Sequence, residues 1–126
     1  MLEVSQWVQY FESKGISKGD RIAGILPNNV SALVAMLAAT SLGAVWSSCS
    51  PDFGEQGISD RLKQINPKCI VSISHYMYKG KDISISDRLD QIRRNLDTTE
   101  LWVLASDSVS KEGWTSLSEI EAYKPK

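Results

Sequence analysis

Residues 22–51 contain no charged side chain, and this stretch constrains the chain more than any other. An uncharged run of that length is either a membrane span or the core of a folded domain, since it lacks the charges that face water. Pro27, Asn28, Asn29 and Gly43, with several Ser and Thr, cut it into pieces shorter than a bilayer core requires. The pieces are therefore expected inside a protein core. Residues 21–26 form a short apolar run stopped by Pro27, the pattern of a buried strand. Asn28 or Asn29 can then cap a helix whose face is Val30, Leu33, Val34, Leu37 and Ser41 and whose end is Gly43. Residues 44–49 read as a second strand.

The same alternation extends on both sides. Val4, Trp7, Val8 and Phe11 recur at i, i+3, i+4, i+7 and place one apolar stripe on a first helix that ends at Gly15. Ile58, Leu62 and Ile65 mark a helix that cannot pass Pro67. Residues 69–73 form a third strand. Ser86 can cap a helix carrying Leu89, Ile92 and Leu96, and residues 101–105 give a fourth strand. Strand and helix in alternation predict an α/β fold with an open, mainly parallel sheet and flanking helices. Residues 1–105 are read as that unit and 106–126 as a polar tail with one short helix, where Ser116 and Glu119 form a capping box. Ligands of such sheets bind at the carboxyl ends of the strands, here the loops after Leu26, Cys49, Ile73 and Ala105.

The 126 residues suffice for one domain but are few for an enzyme that holds several substrates. A hydrophobic share of 42% and a charged share of 23% describe a folding chain rather than a disordered one. The net charge of −1 offers no basic excess to attract nucleic acid or an anionic membrane. The start carries charges and no unbroken apolar run, so no secretory leader is expected there. Cys49 and Cys69 lie in apolar segments and read as buried thiols of a reducing, cytoplasmic compartment. No GxGxxG follows the first strand, no GxxxxGK[ST] or G-x-S-x-G occurs, and His75, the single histidine, has no Cys or His cluster around it.

Longer strings of residues are more informative. Gly19-Asp20-Arg21-Ile22-Ala23-Gly24-Ile25-Leu26-Pro27-Asn28, with Met36-Leu37-Ala38-Ala39-Thr40-Ser41-Leu42-Gly43-Ala44, resembles the opening of the adenylate-forming acyl-CoA synthetase fold. Val45-Trp46-Ser47-Ser48-Cys49-Ser50-Pro51-Asp52-Phe53-Gly54, then Asp60-Arg61, Gln64-Ile65 and Pro67-Lys68, resembles the acetoacetyl-CoA synthetases within that superfamily, and Tyr78-Lys79-Gly80-Lys81 matches a Tyr-x-Gly-Lys segment of those enzymes. The resemblance covers residues 19 to about 105 and implies part of an amino-terminal domain. It implies a ligase that uses ATP and Mg to turn acetoacetate into an acyl-adenylate, after which the thiol of CoA displaces AMP. The family's phosphate loop, its adenine and magnesium segments and its catalytic lysine are expected beyond residue 126, so the chain alone is expected to be inactive. The other reading is a non-catalytic α/β binding or interaction module built on the same scaffold.

By position in that resemblance, Ser50, Pro51, Asp52, Phe53 and Gly54 correspond to a segment lining the pantetheine and acyl tunnel. The same five residues also suit a tight strand-to-helix turn in which Asp52 caps the next helix. Lys81 corresponds to a basic residue that meets the 3′-phosphate of CoA, and it equally suits a solvated lysine. Arg61 reads as a surface or subdomain contact, Trp46 as core, and Cys49 as an unactivated thiol.

Overall fold

A computed structural model describes residues 2–26, 30–49, 55–73, 75–78, 80–96, 99–105, 114–116, 119–120 and 122. The apolar stripe at the start of the chain forms α1 (Leu2–Ser13), which buries Trp7, Tyr10 and Phe11. At its end Gly15 adopts φ +83°, a left-handed conformation that costs glycine little. That turn lets the Ile16 N–H reach the Phe11 carbonyl at 3.0 Å and the Gly15 N–H reach that of Glu12 at 3.1 Å, the paired bonds of a Schellman stop. Gly43 ends the next helix in the same way, with Ala44 N–H on Ala39 O at 3.1 Å and Gly43 N–H on Thr40 O at 3.0 Å.

The core strands are β1 (Arg21–Ile25), β2 (Val45–Cys49), β3 (Cys69–Ser72), β6 (Leu101–Leu104) and the two-residue β7 (Thr115–Ser116). They form one sheet in the order β2-β1-β3-β6-β7, with every pair parallel. α2 (Val30–Ser41) links β1 to β2, α3 (Glu55–Ile65) links β2 to β3, and α4 (Ser86–Asn95) precedes β6. Right-handed crossovers send α2 to one face of the sheet and α3 and α4 to the other, because the chain reverses direction across the sheet after β2. The contacts agree: α1 packs on α2, and α3 on α4. The fold expected from the sequence is therefore the one found.

The register explains a glycine in the middle of the sheet. Ile22 lies opposite Trp46 and Cys69, and Gly24 opposite Ser48 and Val71. A Cβ on Gly24 would fall 2.6 Å from the Trp46 ring, so the absence of a side chain there lets the indole lie across β1. On the other face Ser59 of α3 is fully buried, and Asn95 of α4 donates to its hydroxyl at 3.3 Å.

Four features differ from the sequence reading, the first being that Leu33 and Leu37, read on the apolar face of α2, are exposed while Ala35, Ala38 and Ala39 are buried. Residues around Tyr78 and Lys81, read as a loop, form an antiparallel hairpin of β4 (His75–Tyr78) and β5 (Lys81–Ser84). Gly80 at φ +77° lies in its two-residue turn. Ser86 does not cap α4; it is the first helical residue, and Ile85 stands at the cap with no side-chain hydrogen bond. Burial of Ile85 in the core holds that helix start in place of a polar cap. Beyond residue 105, Trp114 and Ile120 are buried in the core and β7 extends the sheet. The expected capping box is present in its return half, with Ser116 N–H donating to the Glu119 carboxylate at 2.7 Å. No helix among the described residues is long and apolar enough to cross a membrane.

Candidate functional site

The strand order places the reversal of chain direction at the carboxyl ends of β1 and β3, where an open α/β sheet forms a crevice. Ser72, fully buried at the end of β3, lies with its hydroxyl 3.0 Å from the Ile73 carbonyl and 3.3 Å from that of Ile25, binding the two strand ends together. Nothing in the local sequence singled out Ser72, because the partner carbonyl comes from a strand far away in the chain.

Both strands that precede the candidate binding segments end at this same edge. Residues 50–54 follow Cys49 at the end of β2, and the hairpin bearing Lys81 follows the end of β3; these strands flank β1 on its two sides. Ser50, Pro51, Asp52, Phe53 and Gly54 lie outside the described residues. Lys81 opens β5 and is exposed, pairing across the hairpin with Tyr78. Its place on a strand, directly after a glycine turn, gives the cation a more defined base than a long loop would.

Cys49 is buried at the carboxyl end of β2, and burial raises its thiol pKa, with the nearby Arg61 guanidinium opposing that rise. Arg61 thus stands where α3 meets the end of β2. Cys69 is fully buried in β3 and its thiol is pushed up by desolvation alone. Neither thiol is activated as a nucleophile. Trp46 is half-buried, packed over Gly24 rather than free to meet a ligand. Among the described residues no three His, Cys, Asp or Glu side chains are grouped to hold a metal ion.

The opposite, amino-terminal edge holds a polar depression of about 270 Å³ lined by Gly19, Asp20, Arg21, Asn66, Pro67, Lys68 and Glu100. Its centre is Lys68, whose ammonium lies 3.6 Å from Asp20, 3.9 Å from Glu100 and 3.0 Å from the Gly15 carbonyl. The carboxyl of Asp20 is held below the usual range chiefly by the Ser17 N–H at 2.8 Å, with Lys68 adding to the effect and partial burial opposing it. These contacts join the starts of β1, β3 and β6. The depression is a structural cluster at the end of the sheet where ligands do not usually bind.

The comparisons with known proteins agree with this geometry. The profile of the AMP-binding enzyme family matches residues 2–125. The chain is 47% identical over 94 residues to an acetoacetyl-CoA synthetase of Macaca fascicularis, covering 75% of this chain and 14% of that protein. It is 39% identical over 124 residues to an acetoacetyl-coenzyme A synthetase of Rhizobium meliloti, covering 94% of this chain and 19% of that one. The solved acetoacetyl-CoA synthetase from Streptomyces lividans superimposes with a TM-score of 0.92 at 30% identity, over 98% of this chain and 20% of that chain. The chain thus spans less than a fifth of the length of either curated relative, and over nearly its whole extent it belongs to the AMP-binding enzyme family.

Proposed function

We propose that this chain forms the part of an acetoacetate–CoA ligase in which β2 and β3 present the CoA and acyl-group segments at the carboxyl edge of the sheet. The observation that carries the reading is the 47% identity to a protein named acetoacetyl-CoA synthetase. In that reaction the acetoacetate carboxylate attacks the α-phosphorus of ATP, pyrophosphate leaves, and the CoA thiol then displaces AMP from the acyl-adenylate. Lys81 supplies a point charge for the 3′-phosphate of CoA, suited to an anion at an exposed position. Residues 50–54 line the path of the pantetheine arm and the acyl group. No described residue is assigned to ATP or to Mg. The chain alone is inactive on this reading, and its setting is cytoplasmic, where both cysteines stay free thiols.

The test is a chimaera in which this chain replaces the matching fifth of the Streptomyces lividans enzyme. It should make acetoacetyl-CoA from acetoacetate, ATP and CoA. Lys81→Glu should weaken CoA roughly ten- to thirtyfold, the effect of reversing an exposed charge, and leave pyrophosphate release unchanged. Dephospho-CoA should be used equally by both forms. A folded chimaera that prefers another acid sinks the substrate, and an equal loss with CoA and dephospho-CoA sinks the role of Lys81.

A further inference from the structure

α2 is built the wrong way round for a helix facing water. It turns its small residues Ala35, Ala38 and Ala39 into the core, where each is fully buried, and leaves Leu33 and Leu37 at 47% and 37% exposure, one turn apart on its outer side. The helix has no charged residue. Two of its hydroxyls bond to its own backbone, Thr40 to the Met36 carbonyl at 3.0 Å and Ser41 to that of Ala38 at 2.9 Å. A helix that is apolar all round belongs inside a larger body. Directly after it, Val45 at the start of β2 is 50% exposed, and among the described residues β2 pairs only with β1, leaving its other edge open and without a Lys or Pro to guard it.

We infer that the outer face of α2 and the adjoining edge of β2 form a docking surface whose occupant is the rest of an AMP-binding enzyme chain. Length identifies the occupant: this chain superimposes on 20% of the Streptomyces lividans synthetase, so the other 80% of that chain is there to cover the face. A cover joined through the same chain acts at high effective concentration and outcompetes a second copy of this one. The inference rests on the family and not on acetoacetate as substrate.

Leu33→Cys and Leu37→Cys, each labelled with a maleimide, test it in the chain alone and in the chimaera described above. Both native thiols are buried, and the unmutated chain gives the blank. The introduced thiols should react freely in the chain alone and at least a hundredfold more slowly in the chimaera. Gln64→Cys and Arg94→Cys, on exposed positions of α3 and α4, should react freely in both. Equal labelling of Leu37→Cys in the two settings overturns the inference, as does protection in the chain alone accompanied by a dimer mass, which makes a second copy the occupant. An insoluble chimaera beside a soluble parent also counts against it, since the face then does not fit its cover. Labelling does not depend on turnover: a protected but inactive chimaera keeps the docking surface and sinks the acetoacetate reading.

Discussion

The two helical layers of this sheet are finished to different degrees. On one face, α3 and α4 bury Ile58, Leu62, Leu89 and Ile92 and expose Gln56, Asp60, Lys63, Gln64 and Arg94. Their exposed groups also bond along the helix, Gln56 to Asp60 at 2.8 Å and Arg94 to Gln91 at 3.1 Å. On the other face α2 reverses the arrangement, with alanines inside and leucines outside. Amphipathicity therefore marks which face of a domain ends at solvent, and its loss on α2 marks the face inferred above to be a docking surface. The difference would be invisible from total hydrophobicity, since each layer buries an apolar core of its own.

The largest expected effect lies in the finished layer. Leu62→Ala removes a fully buried side chain and should cost about 2–5 kcal/mol, the usual range for a cavity in a core that relaxes only in part. Urea unfolding of the chain alone measures it through the shift of the midpoint at constant slope. A cost below about 1 kcal/mol would mean that α3 is held no better than α2 and would break the contrast.

The inner side of the α2 layer gives the next effect. Gly24→Ala places a methyl group where the Trp46 ring now lies, 2.6 Å from the nearest ring atom, and should cost about 1–3 kcal/mol as overpacking. Trp46→Leu combined with Gly24→Ala should recover part of that loss. If the double variant is as unstable as the sum of the singles, the ring is not what the glycine accommodates.

What the sequence disclosed follows from how the information is laid along the chain. β1, β2, β3 and β6 were legible because short apolar runs between Gly and Pro punctuation have few alternatives to a buried parallel strand. The β4–β5 hairpin was not, since His75 to Tyr78 and Lys81 to Ser84 lack the β-branched alternation of a strand, and Lys-Gly is a weaker turn signal than Asn-Gly. Trp114 and Ile120 stand among polar neighbours with no period to reveal them, and only the folded sheet shows that they are core. At the candidate site, Lys81 is proposed through family resemblance alone, whereas the meeting of Arg61 with Cys49 joins a helix to a strand end and has no signature in sequence spacing. The inverted α2 was misread in one respect: Leu33 and Leu37 were placed on its buried face, and the structure buries the alanines instead.

A smaller effect is expected at the amino edge, where charge rather than apolar burial joins the strands. Asp20→Asn weakens the acceptor for Ser17 and the partner of Lys68, and should cost about 0.5–1 kcal/mol at pH 7 for a partly exposed group. The sign of its pH dependence follows from the lowered pKa of Asp20. A carboxyl that is more acidic folded than unfolded adds stability that is fully present above the unfolded value near 3.9 and lost as the pH falls through the lower folded value. The gap between wild type and variant should therefore hold from pH 7 to about pH 5 and close below pH 4. A gap that widens on acidification would contradict the assignment.

The smallest effect is the sharpest for the comparison. Leu37→Gln replaces an exposed leucine of α2 by a residue of similar helix propensity, so the chain alone should change by no more than about 0.5 kcal/mol. It should also aggregate less and bind less of a hydrophobic dye, because the open apolar face is reduced. In the chimaera the same substitution should cost more, about 1–3 kcal/mol, since there the amide must give up water without a ready partner. A helix that faces solvent in both settings would show the small value twice. A helix whose cover is the rest of the enzyme shows it once, and the difference between the two measurements reads directly how far the α2 face is buried on assembly.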